Sequence, residues 1–134
     1  MKVTNKMDQK GEILLLQYIV GMVNADNPVI HLFQNDVTPS DSTVVANLTE
    51  VDTSTGYNAI TLLSASWTTT QSLGVTTAVY SERTFAFAAA ATSYGYYVTN
   101  ETGQLLWLER FSGAPFSIPD GGGTISITAK LTLS

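Results

Sequence analysis

The sequence predicts a mainly β protein: an antiparallel β-sandwich or jelly-roll-like domain, preceded by one α-helix and a flexible N-terminal arm. Three observations lead there. From Val29 onward, about eight short β-rich runs follow one another at roughly 8–12-residue spacing, separated by turn residues. The last run has clean period-two alternation, with Ile125, Ile127, Ala129, Leu131 and Leu133 set against Thr124, Ser126, Thr128, Lys130 and Thr132. One apolar segment near the start instead carries a helical period. At 134 residues the chain has room for a single packed core.

Residues 1–10 are polar and aperiodic, with Met1 and Met7 as their long apolar side chains, and read as a flexible arm. Residues 11–134 then form one domain. Residues 11–23 have few helix breakers and place Leu15, Ile19, Met22 and Val23 on one face. A helix of about three turns follows, apolar nearly all round and therefore expected to be buried on more than one side. The turn residues Asn24-Ala25-Asp26-Asn27-Pro28 end it. The run is too short to span a bilayer, which takes about 20 apolar residues. Asp8 and Glu12, with Gln17 and Tyr18 inside the run, argue against a signal-peptide core.

Val29-Ile30-His31-Leu32-Phe33 is a strand, closed by the turn-rich residues 35–41. Residues 43–51 read as a weak strand or an irregular helical turn, and residues 56–62 as a further strand. After a Ser/Thr-rich stretch around Trp67, residues 75–80 and 83–89 look like a strand pair, with Phe85 and Phe87 on one face. Residues 94–99 and 105–111 make a hairpin about the loop Asn100-Glu101-Thr102-Gly103. Its second strand is apolar on both faces at its start. Asp120-Gly121-Gly122-Gly123 is a turn that lets the last strand enter the sheet. It is not a phosphate loop, since no Lys-Ser/Thr pair or helix follows it.

Composition argues against several kinds of chemistry. Hydrophobic residues make up 44% and charged residues 13%, where about 25% charged is usual. Such a surface is either covered by Ser, Thr and Asn or buried against something else. The net charge is -5, with no basic cluster to bind nucleic acid. Without cysteine there are no disulfides, thiolate metal sites or Cys nucleophiles. His31 is the single histidine, expected half-buried and hydrogen-bonded, and there is no G-x-S-x-G elbow. Asp26, Asp36, Asp41 and Asp120 lie in loops without calcium-loop spacing. No pair among Glu101, Glu109, Asp52 and Glu82 stands out as a glycosidase couple. The expectation is a non-enzymatic chain with no cofactor, no metal, no nucleic acid and no membrane.

Several stretches resemble small virion proteins of tailed bacteriophages and cyanophages. They are Ile30-His31-Leu32-Phe33-Gln34-Asn35-Asp36-Val37-Thr38-Pro39, Leu48-Thr49-Glu50, Gly56-Tyr57-Asn58-Ala59-Ile60-Thr61-Leu62 and Trp67. Thr84-Phe85-Ala86-Phe87, Tyr94-Gly95-Tyr96-Tyr97-Val98-Thr99, Leu105-Leu106-Trp107-Leu108-Glu109-Arg110-Phe111 and Ile118-Pro119-Asp120-Gly121-Gly122-Gly123 continue the likeness. It covers about residues 11–134, and its motifs are structural rather than catalytic. It implies a virion protein on the capsid surface, assembled in the host cytoplasm. A capsid cement or decoration protein, bound to the major capsid protein lattice and stabilising the head, is the specific expectation. A homo-oligomer, with a trimer foremost, accompanies it, because capsid symmetry axes favour one. Expected capsid contacts are Met1, Lys2, Val3, Thr4, Asn5, Lys6 and Met7 in the arm, with Asn35, Asp36, Val37, Thr38 and Pro39 in the following loop. The rival expectation is a tail or fibre adsorption module, using the Tyr94, Tyr96, Tyr97, Trp107 and Phe111 hairpin on a host glycan. Core packing is the simpler use of those aromatics.

Overall fold

A computed structural model of the chain describes residues 9–133. The expected arm contacts Met1 to Met7 therefore lie outside the described residues. The helix α1 spans Gln9–Ile19, so it takes in the last two residues assigned to the arm. It also stops earlier than expected. Gly21 adopts φ +73°, its N–H bonds to the Tyr18 carbonyl at 3.2 Å, and the Met22 N–H bonds to that of Gln17 at 2.9 Å. This is a Schellman closure, which satisfies helix-end carbonyls by turning one residue left-handed. Glycine does so without a Cβ clash, so the helix ends inside the apolar run and not at residues 24–28.

The β part is mainly antiparallel. Strands β1 (Val29–Phe33), β2 (Ile60–Thr61), β7 (Gly95–Thr99) and β8 (Leu105–Arg110) form a four-stranded sheet in the order β2-β1-β7-β8. Strands β3 (Trp67–Ser72), β4 (Val75–Tyr80) and β11 (Lys130–Leu133) form a second, in the order β11-β4-β3. Two short ladders complete the architecture: β5 (Arg83–Phe87) with β10 (Gly123–Ile127), and β6 (Ala91–Ser93) with β9 (Phe116–Ile118).

These ladders nest. β4 pairs with β11, β5 with β10, β6 with β9 and β7 with β8, all antiparallel. The chain from β4 to β11 is one long hairpin folded over itself, the pairing scheme of a jelly roll. The expected hairpin of residues 94–99 and 105–111 is its closed end, and Gly103 in that turn has φ +88°. The expected pairing of residues 75–80 with 83–89 does not occur: β4 and β5 run on in sequence, each against a different partner. Ser81-Glu82 carries no Gly or Asn to supply the positive φ that a two-residue hairpin turn requires. The reversal comes earlier, at Leu73-Gly74, where both residues have positive φ and join β3 to β4. The final run likewise divides. β10 and β11 are separate strands, and Thr132, expected to be wet, is 7% exposed, its hydroxyl 3.4 Å from that of Thr77.

Residues from all four sheets share one core. Ile30, Leu32, Tyr96 and Val98 of the four-stranded sheet meet Tyr80, Phe85, Phe87, Ile118 and Ile127. Tyr57 lies among them, its ring stacked 5.7 Å from Phe85 and 6.2 Å from Phe87. A smaller cluster of Phe33, Leu48, Tyr97, Leu105 and Leu108 fills the opposite face, with Val37 and Val45 packed over it. The loop after β1 thus roofs the sheet. That is why β7 is buried at every residue and β8 is apolar on both faces at its start.

Candidate docking surface

Loop residues 35–39 were expected as contacts, and the structure fastens most of them to the protein itself. The Asn35 amide donates to the Asn47 carbonyl at 2.9 Å and accepts from the Thr49 N–H at 2.8 Å. Asp36 pairs with Arg110 at 2.6 Å. The same guanidinium donates to the Val37 carbonyl at 3.1 Å and lies 5.0 Å from the centre of the Tyr94 ring. Val37 is packed on the smaller core cluster. Pro39 is half-buried, which leaves Asp36 and Thr38 as the exposed side chains of the five. Surface ion pairs of this kind contribute little stability, so the loop's hold comes from Asn35 and Val37.

Exposed large apolar side chains gather on α1 and on the residues just after it, where burial was expected. Leu14 enters the core at 3% exposure, and Leu15 and Tyr18 pack beside it. The helix thereby seats one face against β8. Ile13, Leu16, Ile19, Val20 and Met22 are 56–72% exposed, and Val23 is 39% exposed. Among the described residues the helix packs on one side, against β8, so Ile13, Leu16 and Ile19 of α1 and Val20, Met22 and Val23 after it face outward. Six large apolar side chains so close together present on the order of several hundred Å². The largest patch on a typical monomer is of this size and is often functional, which makes this segment the candidate docking surface. The clue in the sequence was an excess: more apolar residues than one face of a three-turn helix can bury.

Charge sets this segment apart as well. Residues 1–10 carry Lys2, Lys6 and Lys10 against Asp8, a net +2. The remaining 124 residues carry Arg83, Arg110 and Lys130 against ten carboxylates, a net -7. Half of the basic residues therefore precede the exposed apolar face.

His31 anchors the other notable cluster. Its Nδ1 lies 2.8 Å from Glu50 Oε1, its Nε2 lies 3.1 Å from Thr99 Oγ1, and its ring stacks on Tyr97 at 4.6 Å. The Tyr57 hydroxyl donates to the same Glu50 oxygen at 2.8 Å. A hydroxyl, an imidazole and a carboxylate in a row have the connectivity of a nucleophile relay. Thr99 is 3% exposed, however, which leaves its hydroxyl little access to a substrate. The cluster ties β1 to β7 and to the roofing loop, and His31 is half-buried and hydrogen-bonded as the sequence led us to expect. Burial, reinforced by the Glu50 carboxylate, pushes the Tyr57 and Tyr97 hydroxyls well above their usual range. Burial beside Glu109 does the same for Tyr96. Each stays a neutral phenol at ordinary pH.

The hairpin aromatics face inward. Tyr96, Tyr97 and Trp107 are buried, with Tyr94 and Phe111 half-buried, so most of their ring area serves packing. Among the described residues, no three His, Cys, Asp or Glu side chains group in a way that could hold a metal ion. Comparison with protein-family models, with curated proteins and with solved structures found no match to this chain.

Proposed function

We propose that this chain is a structural protein of a tailed-phage particle, and within that class a cement or decoration protein. It binds the outer surface of the major capsid protein lattice and stabilises the head. In this reading it is not an enzyme, uses no cofactor and acts as a homo-oligomer on the capsid surface. The observation that carries the docking role is the exposed apolar surface of α1 and the residues just after it, which follows a Lys-bearing segment in the sequence of an otherwise acidic chain. Burying such a face against a lattice subunit supplies the hydrophobic term. Repeating the contact around an oligomer multiplies it through effective concentration. The resemblance of residues 11–134 to small virion proteins supplies the particle.

Cosedimentation with heads of the encoding phage tests this reading. Ile19→Asp with Val20→Asp places two charges on the open face, and the double variant is expected to lose head binding while its circular dichroism stays native. Equal binding by wild type and variant would remove α1 from the interface. A particle map that places the chain on the tail would end the cement reading in favour of an adsorption role.

A further inference from the structure

We propose that the protein pairs with a second copy of itself through β3, edge to edge and antiparallel, forming one continuous six-stranded sheet. The inference deepens the homo-oligomer part of the proposed function and rests on it. It draws on a different part of the molecule from α1.

Three features of the β3–β4 hairpin lead here. Among the described residues β3 pairs only with β4, so its other edge presents unpaired backbone groups. The strand Trp67-Thr68-Thr69-Thr70-Gln71-Ser72 has no charge, no proline and no bulge against β4, and its last five residues are exposed. Proteins that keep an edge strand alone blunt it with lysine, proline or a bulge. This edge carries none of those guards. Next, Leu73 at the hairpin tip is 100% exposed and holds φ +50°. A branched apolar side chain gains nothing for the monomer there, in a conformation better suited to Asn or Gly. Finally, a groove of about 330 Å³ opens at the far end of the strand, lined by Pro28, Trp67, Thr69, Ala78, Trp107 and Leu131 among others.

One register uses all three. With Thr70 opposite Thr70 of the second copy, Thr69 faces Gln71, Thr68 faces Ser72, and Trp67 faces Leu73. Directly opposed residues in an antiparallel pair share a face, so Leu73 of each copy arrives over Trp67 of the other, at the mouth of the apolar groove. Opposed Thr and Ser side chains are favourable cross-strand neighbours. A charge at Thr70 would meet its own copy at the axis, and a neutral strand avoids this. Pairing identical antiparallel edges generates a two-fold axis, so the unit is a dimer and not the trimer expected on symmetry grounds.

Sedimentation equilibrium of the full chain tests the pairing. Wild type is expected to dimerise. Thr70→Lys, which sets two like charges opposite each other, and Leu73→Asn, which empties the groove, each weaken association by about tenfold or more. Ile19→Asp with Val20→Asp leaves it unchanged. Leu73→Asn also separates interface from folding, because Asn accepts positive φ and the monomer should be at least as stable in urea as wild type. Thr70→Cys, in a chain with no other cysteine, gives a disulfide-linked dimer on mild oxidation, whereas Ser54→Cys does not. A wild-type chain that stays monomeric, or association that survives both Thr70→Lys and Leu73→Asn, overturns the proposal. Association lost only in the α1 variant also overturns it and moves the seam to the helix. Failure of the capsid reading would appear instead as wild-type chain that ignores phage heads, with the sedimentation results intact.

Discussion

Tyr57 shows what a single buried hydroxyl does in this core. It accepts from the Leu32 N–H of β1 at 3.0 Å and donates to Glu50 at 2.8 Å, while its ring packs on Phe85 and Phe87. Replacing it by Phe keeps the ring and leaves the Leu32 N–H buried without an acceptor, a loss of about 1–3 kcal/mol. A urea-unfolding midpoint for Tyr57→Phe equal to wild type would remove this hydroxyl from the account. The buried tyrosines also make a pH prediction. Their folded pKa values lie above the ordinary 10.0, so the fold favours the neutral phenol. The associated stability is fully present below pH 10 and is lost as pH rises further, when the unfolded chain releases protons that the folded one retains. Urea midpoints should therefore fall above about pH 10, less steeply in Tyr96→Phe than in wild type. Identical slopes would reject the link. Gly95 is fixed for a different reason. A Cβ there would lie 2.7 Å from the Phe33 ring and closer still to the Glu109 carbonyl, so Gly95→Ala should cost about 1–3 kcal/mol or more by overpacking, measurable in the same titration.

Among the elements, α1 is the most instructive. Its helical period was legible in the sequence, but which residues it buries was not. Helix period depends on local spacing, whereas burial depends on how much surface the rest of the domain offers. Here β8 and its neighbours accommodate Leu14, Leu15 and Tyr18. Leu14→Ala should cost about 2–5 kcal/mol as a core truncation, while Leu16→Ala, at 62% exposure, should stay within about 0.5 kcal/mol. Equal costs for the two would mean that the helix seats another face. Strands divide in the same way. The β7–β8 hairpin could be read because its turn residues and flanking apolar runs are adjacent in sequence. The β4–β11 and β5–β10 ladders could not, since partners 36 or more residues apart leave no local signal. The β3–β4 turn was missed because it uses Leu73 where a reader looks for Asn or Gly.

For the whole molecule, the nested ladders imply a cooperative unit. Because β4 to β7 each pair with a strand from the second half, the core cannot form until both halves are present. A chain cut after β7 should lack near-UV dichroism, and a native spectrum from it would contradict the nesting. By itself the sequence determined the mainly β class, the antiparallel hairpin at residues 94–111, the single N-terminal helix and the half-buried His31. These follow from periodicity, turn chemistry and composition, all of which are local. Tertiary structure alone decided that Asn35 and Val37 are held within the fold, that the apolar face of α1 is open, and that β3 is an unguarded edge. Those outcomes depend on which surfaces meet across the chain, and so on long-range pairing and the limited area a domain of 134 residues has for covering its own apolar groups.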